Sequence, residues 1–520
     1  MTKKANLQTI AKAASLVMIF FIASRVLGLI RDMVIASQFG TSPEMDSYLA
    51  AFRLPDLLFN VVAGGALGSA FIPVFTDYLT DDDTIGAWRL ASAIINWVLV
   101  VTIVLGGLAI VFAPSFINII APGFNPEQKI LSTKLMQLLM ISTIIFGVSG
   151  LIMGILHANQ HFLSPAIAPV IYNLAIIGGA LLLGPIWSVY GLTAGVIVGA
   201  VGHLVVQLPA LYGHGMRYHF IFMPRNPSVQ RVGWLMAPRM FGLAAVHINF
   251  LWDAILASTL TSGSYAGLDY GRRVMLLPQG IIAQAVASAA FPTFSALAAQ
   301  EKWDELQTVF IGTLRSIIYL SVPAAIGLIM LGKPIIILLF QRNAFDEIST
   351  QATVWALWFY TLGLVPHAIV EIVTRAFYAL KNTKTPVIIG IVSMAINVVL
   401  SILLMIGFEK IGLAPHGGIA LASSIAVTIE MIWLMVALRK NVKTLSIQPL
   451  LTPVQQILLA GGIMAIGLYA IRFIMMGMSI LLIALVGVGL GGLIYVVVTL
   501  MLGVDEPKIV IEMLKTRIRL

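Results

Sequence analysis

The chain of 520 residues contains no cysteine. Disulfides, thiolate metal ligands and cysteine nucleophiles are therefore excluded. Charge is nearly as scarce: Asp, Glu, Lys and Arg supply 10% of the residues, where a soluble domain carries about 25%. The eight histidines form no H-x-x-H or HExxH spacing, so the sequence offers no zinc motif. Long polar segments are missing too, and any chemistry must take place in or beside the apolar part of the chain.

What remains is overwhelmingly apolar, 59% hydrophobic with a mean hydropathy of +0.98. Crossing about 30 Å of hydrocarbon takes roughly 20 apolar residues in a helix. Runs of that length lie near 11–39, 47–76, 87–113, 132–157, 162–185, 189–212, 229–260, 265–297, 306–331, 350–380, 385–408, 417–438, 453–475 and 478–503. The expected fold is an all-α polytopic membrane protein of about 14 transmembrane helices. The N-terminus MTKKANLQTIAKAAS is basic, but the apolar run after it is too long for a signal peptide and lacks a cleavage site. It reads as the first permanent helix. The formal charge of +9 does not call for nucleic acid. Lys and Arg lie at the ends of apolar runs, where the positive-inside rule places them, and not on a soluble face.

The same rule sets the orientation. Even-numbered connections carry Arg217, Arg225, Arg231, Lys381, Lys384, Arg439, Lys440 and Lys443, and the tails add Lys3, Lys4, Lys12, Lys508, Lys515, Arg517 and Arg519. Odd-numbered connections carry few, so both termini are expected in the cytoplasm. The acidic loop Thr76–Arg89 stays on the same side, because acidic residues weigh little in the rule. His157, His161, His214 and His219 fall in cytoplasmic loops and read as solvated.

The chain also repeats itself. GALGSAFIPVF (Gly65–Phe75) resembles QAVASAAFPTF (Gln284–Phe294), and the same offset aligns Arg53 with Arg272. LSPAIAPVIYN (Leu163–Asn173) has a looser counterpart in KTPVIIGIVSMAIN (Lys384–Asn397). An even number of helices per repeat implies two parallel six-helix repeats related by an axis along the membrane normal. The expected division is a six-helix lobe over 1–220, a second over 221–445, and two further helices with an interfacial tail over 446–520.

A charge at mid-bilayer costs roughly 2.5–3.5 kcal/mol on insertion scales and marks a candidate functional site. SRVLGLIRD (Ser24–Asp32) places Ser24, Arg25, Arg31 and Asp32 in the first span, and FRLPD (Phe52–Asp56) places Arg53 and Asp56 beside Pro55 in the second. GRRVMLLP (Gly271–Pro278) adds Arg272 and Arg273 early in the eighth. Arg239 and Asp253 lie in the seventh, Glu371 and Arg375 in the tenth. Arginine outnumbers carboxylate at the first three places, and guanidinium suits phosphate through paired hydrogen bonds. One reading is a cavity between the repeats that receives a phosphate-bearing headgroup. The other is a set of self-contained ion pairs, Arg25 with Asp32 and Arg53 with Asp56, with the remaining arginines snorkelling to an interface. Glu371 and Arg375, four residues apart, are expected to pair. Asp253 is expected either as a hydrogen-bonded structural group or as the anchor of a cation site completed by Asn397 and Ser401.

Taken together, SRVLGLIRD, the aspartate of EMDSYLAAF (Glu44–Phe52), RLPDLLFNVVAGGALGSAFIPVF (Arg53–Phe75) and APGF (Ala121–Phe124) resemble the MurJ family of lipid II flippases, of the wider MOP exporter superfamily. GRRVMLLPQG and FYALKNTKTPV are weaker carriers of the same resemblance. It implies a transporter rather than an enzyme. The substrate would be lipid II, the undecaprenyl-diphosphate-linked peptidoglycan precursor, moved to the outer leaflet of the bacterial inner membrane by alternating access. The implied substrate-binding residues are Arg25, Arg31, Asp32, Asp46 and Arg273, with Ser24, Arg53 and Arg272 beside them. Phe59 and Gly64 stand where better-known members carry an arginine and a glutamate, and Arg272 stands where they carry an acid. No cofactor is implied. A monovalent cation or the membrane potential is the expected coupling source, and membrane lipids and other cell-wall synthesis proteins are the expected partners. An exporter of another polyprenyl-linked oligosaccharide, or a drug/cation antiporter of the same superfamily, are the alternatives. The antiporter predicts an acidic cavity, which the arginines disfavour.

Overall fold

The computed structural model describes residues 2–62, 66–442, 446 and 448–508, and among these every regular element is helical. The chain forms two compact units. The first comprises Met1–Gly263 with Arg342–Phe345, and the second Ser264–Gln341 with Asp346–Leu520.

The first unit contains α1 (Thr2–Phe39), α2 (Pro43–Val62), α3 (Ala66–Thr80), α4 (Thr84–Val111), α5 (Ala113–Ile120), α6 (Pro126–Ala158) and α7 (Leu163–Gly178). A π turn at Gly179–Leu183 follows, then α8 (Gly184–Trp187), α9 (Val189–Val205), α10 (Leu208–Gly213) and α11 (Pro227–Ser258). Local chemistry sets the ends. Asp83 caps α4 by accepting the Gly86 amide at 2.8 Å. Asn125 and Gln128 form a reciprocal capping box at α6, with Pro126 in the first turn, where it has no helical partner to lose.

Close helix packing here rests on glycine. GLTAGVIVG (Gly191–Gly199) puts Gly191, Gly195 and Gly199 on one face of α9 at four-residue spacing. A Cβ on Gly195 would lie 2.8 Å from Ala175 O and 3.0 Å from Gly179 Cα, and one on Gly191 would lie 2.4 Å from the Leu183 carbonyl carbon. The backbones of α7 and α9 therefore touch.

The boundary at Gly263 differs from the expected one near residue 220, and packing explains it. α11, the first helix of the second sequence repeat, lies against α2, α3, α4 and α5 of the first unit. The segment before it is strapped onto α4 as well. Asn96 Nδ2 donates to His219 O and Ile221 O at 3.2 and 2.8 Å, and Trp97 Nε1 donates to Phe222 O at 2.8 Å. The Tyr218 hydroxyl donates to Asn96 Oδ1 at 2.6 Å, and Ser92 Oγ accepts the His219 amide at 3.1 Å. A buried asparagine in an apolar helix thus serves a backbone that has no helical partners of its own. Nearby, His161 and His214 are in ring contact, centroids 5.2 Å apart, and are not simply solvated. Burial, together with the His214 ring, holds the His161 imidazole below its usual pKa.

The second unit contains α12 (Ser264–Ala299), α13 (Trp303–Phe340), α14 (Glu347–Thr361), α15 (Leu364–Ala379), α16 (Lys384–Lys410), α17 (His416–Asn441), α18 (Gln448–Ile474) and α19 (Ile480–Met501). Its core centres on Phe294, Phe310, Ile317, Ile372 and Phe377. α14 and α15 form one span bent by 45°. The carbonyls freed at the bend are served by Ser424, whose hydroxyl reaches Phe359 O at 2.6 Å and Tyr360 O at 3.3 Å. The last two helices, outside the sequence repeat, are tied to α13. The Tyr495 hydroxyl donates to Tyr319 O at 2.8 Å, and Arg315 pairs with Glu506 at 2.7 Å.

Among the described residues, ten helices are long and apolar enough to cross a membrane, and the bent pair makes eleven. The other three expected spans fall on α1, on the α2–α3 pair and on α11. All fourteen runs read from the sequence thus coincide with helices. Residues 509–520, expected as an interfacial helix, lie outside the described residues, as does Gly64.

Replacing Gly195 by valine forces α7 and α9 apart. Overpacking of this kind costs about 1–3 kcal/mol, to be read as a lowered melting temperature in detergent. Gly462, whose Cβ would meet nothing within 4 Å, is the control that should tolerate alanine.

Candidate anion-binding site

α1 packs along α7, and α7 brings the buried Asn173 against the charged stretch of α1. Asn173 Nδ2 donates to Ser24 O at 3.3 Å, and its Oδ1 accepts from Arg31 Nη1 at 3.0 Å. Arg31 also reaches Asp32 Oδ1 through Nε at 3.1 Å and Nη2 at 2.8 Å. Neighbouring residues on a helix do not normally face one another. The long arginine stem bends far enough for the fork to close on the adjacent carboxylate. Arg31 is thereby neutralised and held, whereas Arg25 is exposed and makes no hydrogen bond or ion pair with another described residue. The expected Arg25–Asp32 pair is replaced by Arg31–Asp32, because Asn173 anchors the Arg31 guanidinium beside Asp32.

On α2, Asp56 accepts from Asn60 Nδ2 at 3.0 Å and lies 3.6 Å from His247 Nδ1 on α11. Arg53 is partly exposed one turn before it. Phe59 packs edge-on against Phe146 at 5.2 Å, and Phe146 in turn contacts the rings of Tyr172 and His203 at 5.0 and 5.2 Å. An aromatic cluster thus occupies the position where the resemblance would place an arginine. Asp46 serves the backbone. It is 2% exposed and accepts the Gly263 amide at 2.6 Å. Gly263 has φ of +87°, and a Cβ there would lie 2.6 Å from Thr41 O. Only glycine fits such a close approach in the left-handed region. Asp46 therefore ties the end of the first unit to the start of α2.

In the second unit, the buried Asp269 bridges both arginines of the GRR motif. It lies 3.3 Å from Arg272 Nη2 and 2.5 Å from Arg273 Nε. One carboxylate thus holds two guanidinium groups, and Arg273 keeps 39% of its side chain exposed. Glu371 and Arg375 pair at 2.9 Å, as their spacing predicts. Asn397 and Ser401 are buried and bonded to each other at 3.2 Å, while Asp253 belongs to the first unit. Among the described residues, no group of three or more His, Asp or Glu is arranged to hold a metal ion.

Three site residues escaped the sequence reading. Asp269 had a signal: LDYGRR places it three and four residues before the two arginines, on their helix face. Asn173 and His247 had none, since each acquires its charged partner from a helix far away in the chain.

The model of the family described as lipid II flippase MurJ matches residues 35–488. That stretch includes Asp46, Arg53, Arg272 and Arg273 and begins just past Asp32. The probable lipid II flippase MurJ of Buchnera aphidicola subsp. Acyrthosiphon pisum is 31% identical over 409 residues, covering 77% of this chain and 78% of that protein. The lipid II flippase MurJ of Burkholderia cenocepacia is 29% identical over 433 residues, covering 81% and 82%. Among solved structures, a lipid II flippase MurJ in an inward closed conformation matches with a TM-score of 0.79 and 28% identity, over 93% of this chain and 98% of that one. An inward-facing multidrug resistance MATE transporter of the MOP superfamily matches with a TM-score of 0.68 at 16% identity, over 81% and 95%. That second likeness is one of fold alone.

Removing the Asp46 carboxylate leaves the buried Gly263 amide without its acceptor. Asp46→Ala should cost about 1–3 kcal/mol of stability, and Asp46→Asn, which keeps an acceptor oxygen, should cost less. Thermal unfolding of the two purified variants checks the order.

Proposed function

The chain belongs to the MurJ family of lipid II flippases, and we propose that Arg25 is the principal contact for the diphosphate of lipid II in the bacterial inner membrane. The observation that carries this is the contrast on α1. Arg31 is already engaged by Asp32 and Asn173, while Arg25, six residues earlier in the same helix, is exposed and unpaired among the described residues. An uncompensated guanidinium in an apolar helix is stabilised by an anion, and a diphosphate offers paired oxygens to its fork. The Arg272–Arg273–Asp269 group supports the same reading from the second unit, since it gathers two guanidinium groups in one place and Arg273 keeps 39% of its side chain exposed.

In this reading the headgroup enters from the cytoplasm, and the polyprenyl tail stays in lipid. Rocking of the repeats then exposes the head to the outside. Arg31, Asp32, Ser24 and Asn173 form the supporting wall, and Asp46 acts through structure. The distribution of Lys and Arg supports placing both termini in the cytoplasm. The membrane potential favours export: each negative charge moved outward gains about 2.3 kcal/mol per 100 mV when the interior is negative. A coupling monovalent cation held by Asp253 is a separate proposal, supported by the presence of a carboxylate in an apolar span. It is tested by the ion dependence of transport in Asp253→Asn.

Depleting the protein in its host and adding back variants tests the arginine assignment. Wild type should restore exposure of lipid II at the outer leaflet, Arg25→Ala should reduce it at least tenfold, and Arg25→Lys should restore it in part, because lysine keeps the charge and loses the fork. Full exposure with Arg25→Ala would remove Arg25 from the mechanism. Normal exposure during depletion would overturn the transport assignment itself.

A further inference from the structure

One ionisable side chain of the second unit has no role in the site above. Glu430 lies near the middle of α17, a helix long and apolar enough to span the membrane. It is only partly exposed and makes no hydrogen bond or ion pair with another described residue. α16 and α17 form an antiparallel hairpin: Gly418 abuts Leu404 and Met405 at one level, and Gly390 abuts Glu430 at another. Because Gly390 has no side chain, the carboxylate fills the notch; a Cβ there would lie 3.6 Å from Glu430 Oε1. Side chains on a helix lean toward its N-terminus, which on α17 is the direction of Ser393, one turn after Gly390 on α16. Ser393 is 2% exposed, and its hydroxyl has no hydrogen-bond partner among the described residues. Asn397 and Ser401 continue the same buried face.

A carboxylate left ionised and unpaired at this depth would cost several kcal/mol, and a bound proton removes that cost. One carboxylate and one hydroxyl are too few oxygens for a metal cation, yet they suit a proton. A serine hydroxyl accepts from a protonated acid and donates to a carboxylate, so it serves both states. We propose that Glu430 is a proton-binding site of the second unit, loaded and emptied during the transport cycle.

The ionisable groups at its depth do not compete for it. On α15, Gly363 abuts Ser424 of α17, which sets His367, Glu371 and Arg375 alongside Glu430. The last two pair with each other at 2.9 Å. From α16 the nearest in sequence is Lys384, six residues before Gly390. Asp269, Arg272 and Arg273 of α12 and Glu347 of α14 lie toward the opposite end of the unit, and Glu409 and Lys410 are at the far end of α16.

The test uses the flippase reading only for its readout. Full-length protein is reconstituted in vesicles containing lipid II, and the fraction of lipid II exposed is followed with and without an imposed pH gradient, the membrane potential being clamped. Wild type should respond to the gradient. Glu430→Gln, which is neutral in either condition, should flip lipid II without responding to it. The same gradient response in Glu430→Gln as in wild type overturns the proposal. So does a wild type that responds to sodium and not to pH. If Glu430→Gln does not yield folded protein, Glu430→Asp decides: a shifted pH midpoint supports the site, and an unchanged midpoint overturns it. Wild type that flips lipid II with no gradient response leaves the flippase reading intact and removes the proton site alone. Wild type that flips none sinks the flippase reading first.

Discussion

Arg31 lies inside an apolar helix and finds its counter-charge within the protein, and much of the first unit's polar structure follows from how it does so. Its guanidinium is shared between Asp32 on the same helix and Asn173 on α7. Asn173 also donates to the Ser24 carbonyl, so the amide fixes both the arginine and the backbone of α1 about two turns away. The arrangement needs α7 close to α1 and α9 close to α7. The Gly191, Gly195 and Gly199 ladder on α9 supplies the second of these contacts by allowing backbone to touch backbone. A charge in lipid, a buried amide and a run of glycines are thus parts of one construction.

Holding Arg31 has a consequence for its neighbour. The carboxylate that could have quenched Arg25 is spent on Arg31, and Arg25 is left exposed among otherwise apolar residues. The same economy appears in the second unit, where one carboxylate, Asp269, is shared by two arginines. On α1 this leaves a positive charge available, which favours an anionic guest over a cationic one. Asp46 shows the opposite use of a carboxylate. It is buried against a glycine amide and contributes to the backbone turn where the first unit ends.

The spans were legible because apolar length is a local property, and all fourteen runs coincide with helices. The positions of the charges were legible for the same reason, and so was the Glu371–Arg375 pair, whose spacing alone brings the groups together. The partnership of Arg25 with Asp32 was not. Seven residues put two groups on one face, but an amide from α7 decided which arginine the aspartate would take. Asp269 could have been read from its spacing to Arg272 and Arg273. His247 and Asn173 could not, since their partners are separated from them by well over a hundred residues.

By itself, then, the sequence determined a multi-spanning helical chain with cationic stretches at defined depths, because hydrocarbon imposes rules on length and charge that act residue by residue. It also determined a six-helix repeat. Only the tertiary structure decided where one unit stops and the next begins. Side chains on α4 hold the segment before α11, and α11 itself packs on α2 and α3, so the first helix of the second repeat belongs to the first unit. It likewise decided which charges are satisfied and which remain available. Pairing depends on distances between helices far apart in the chain, and no local pattern encodes those distances.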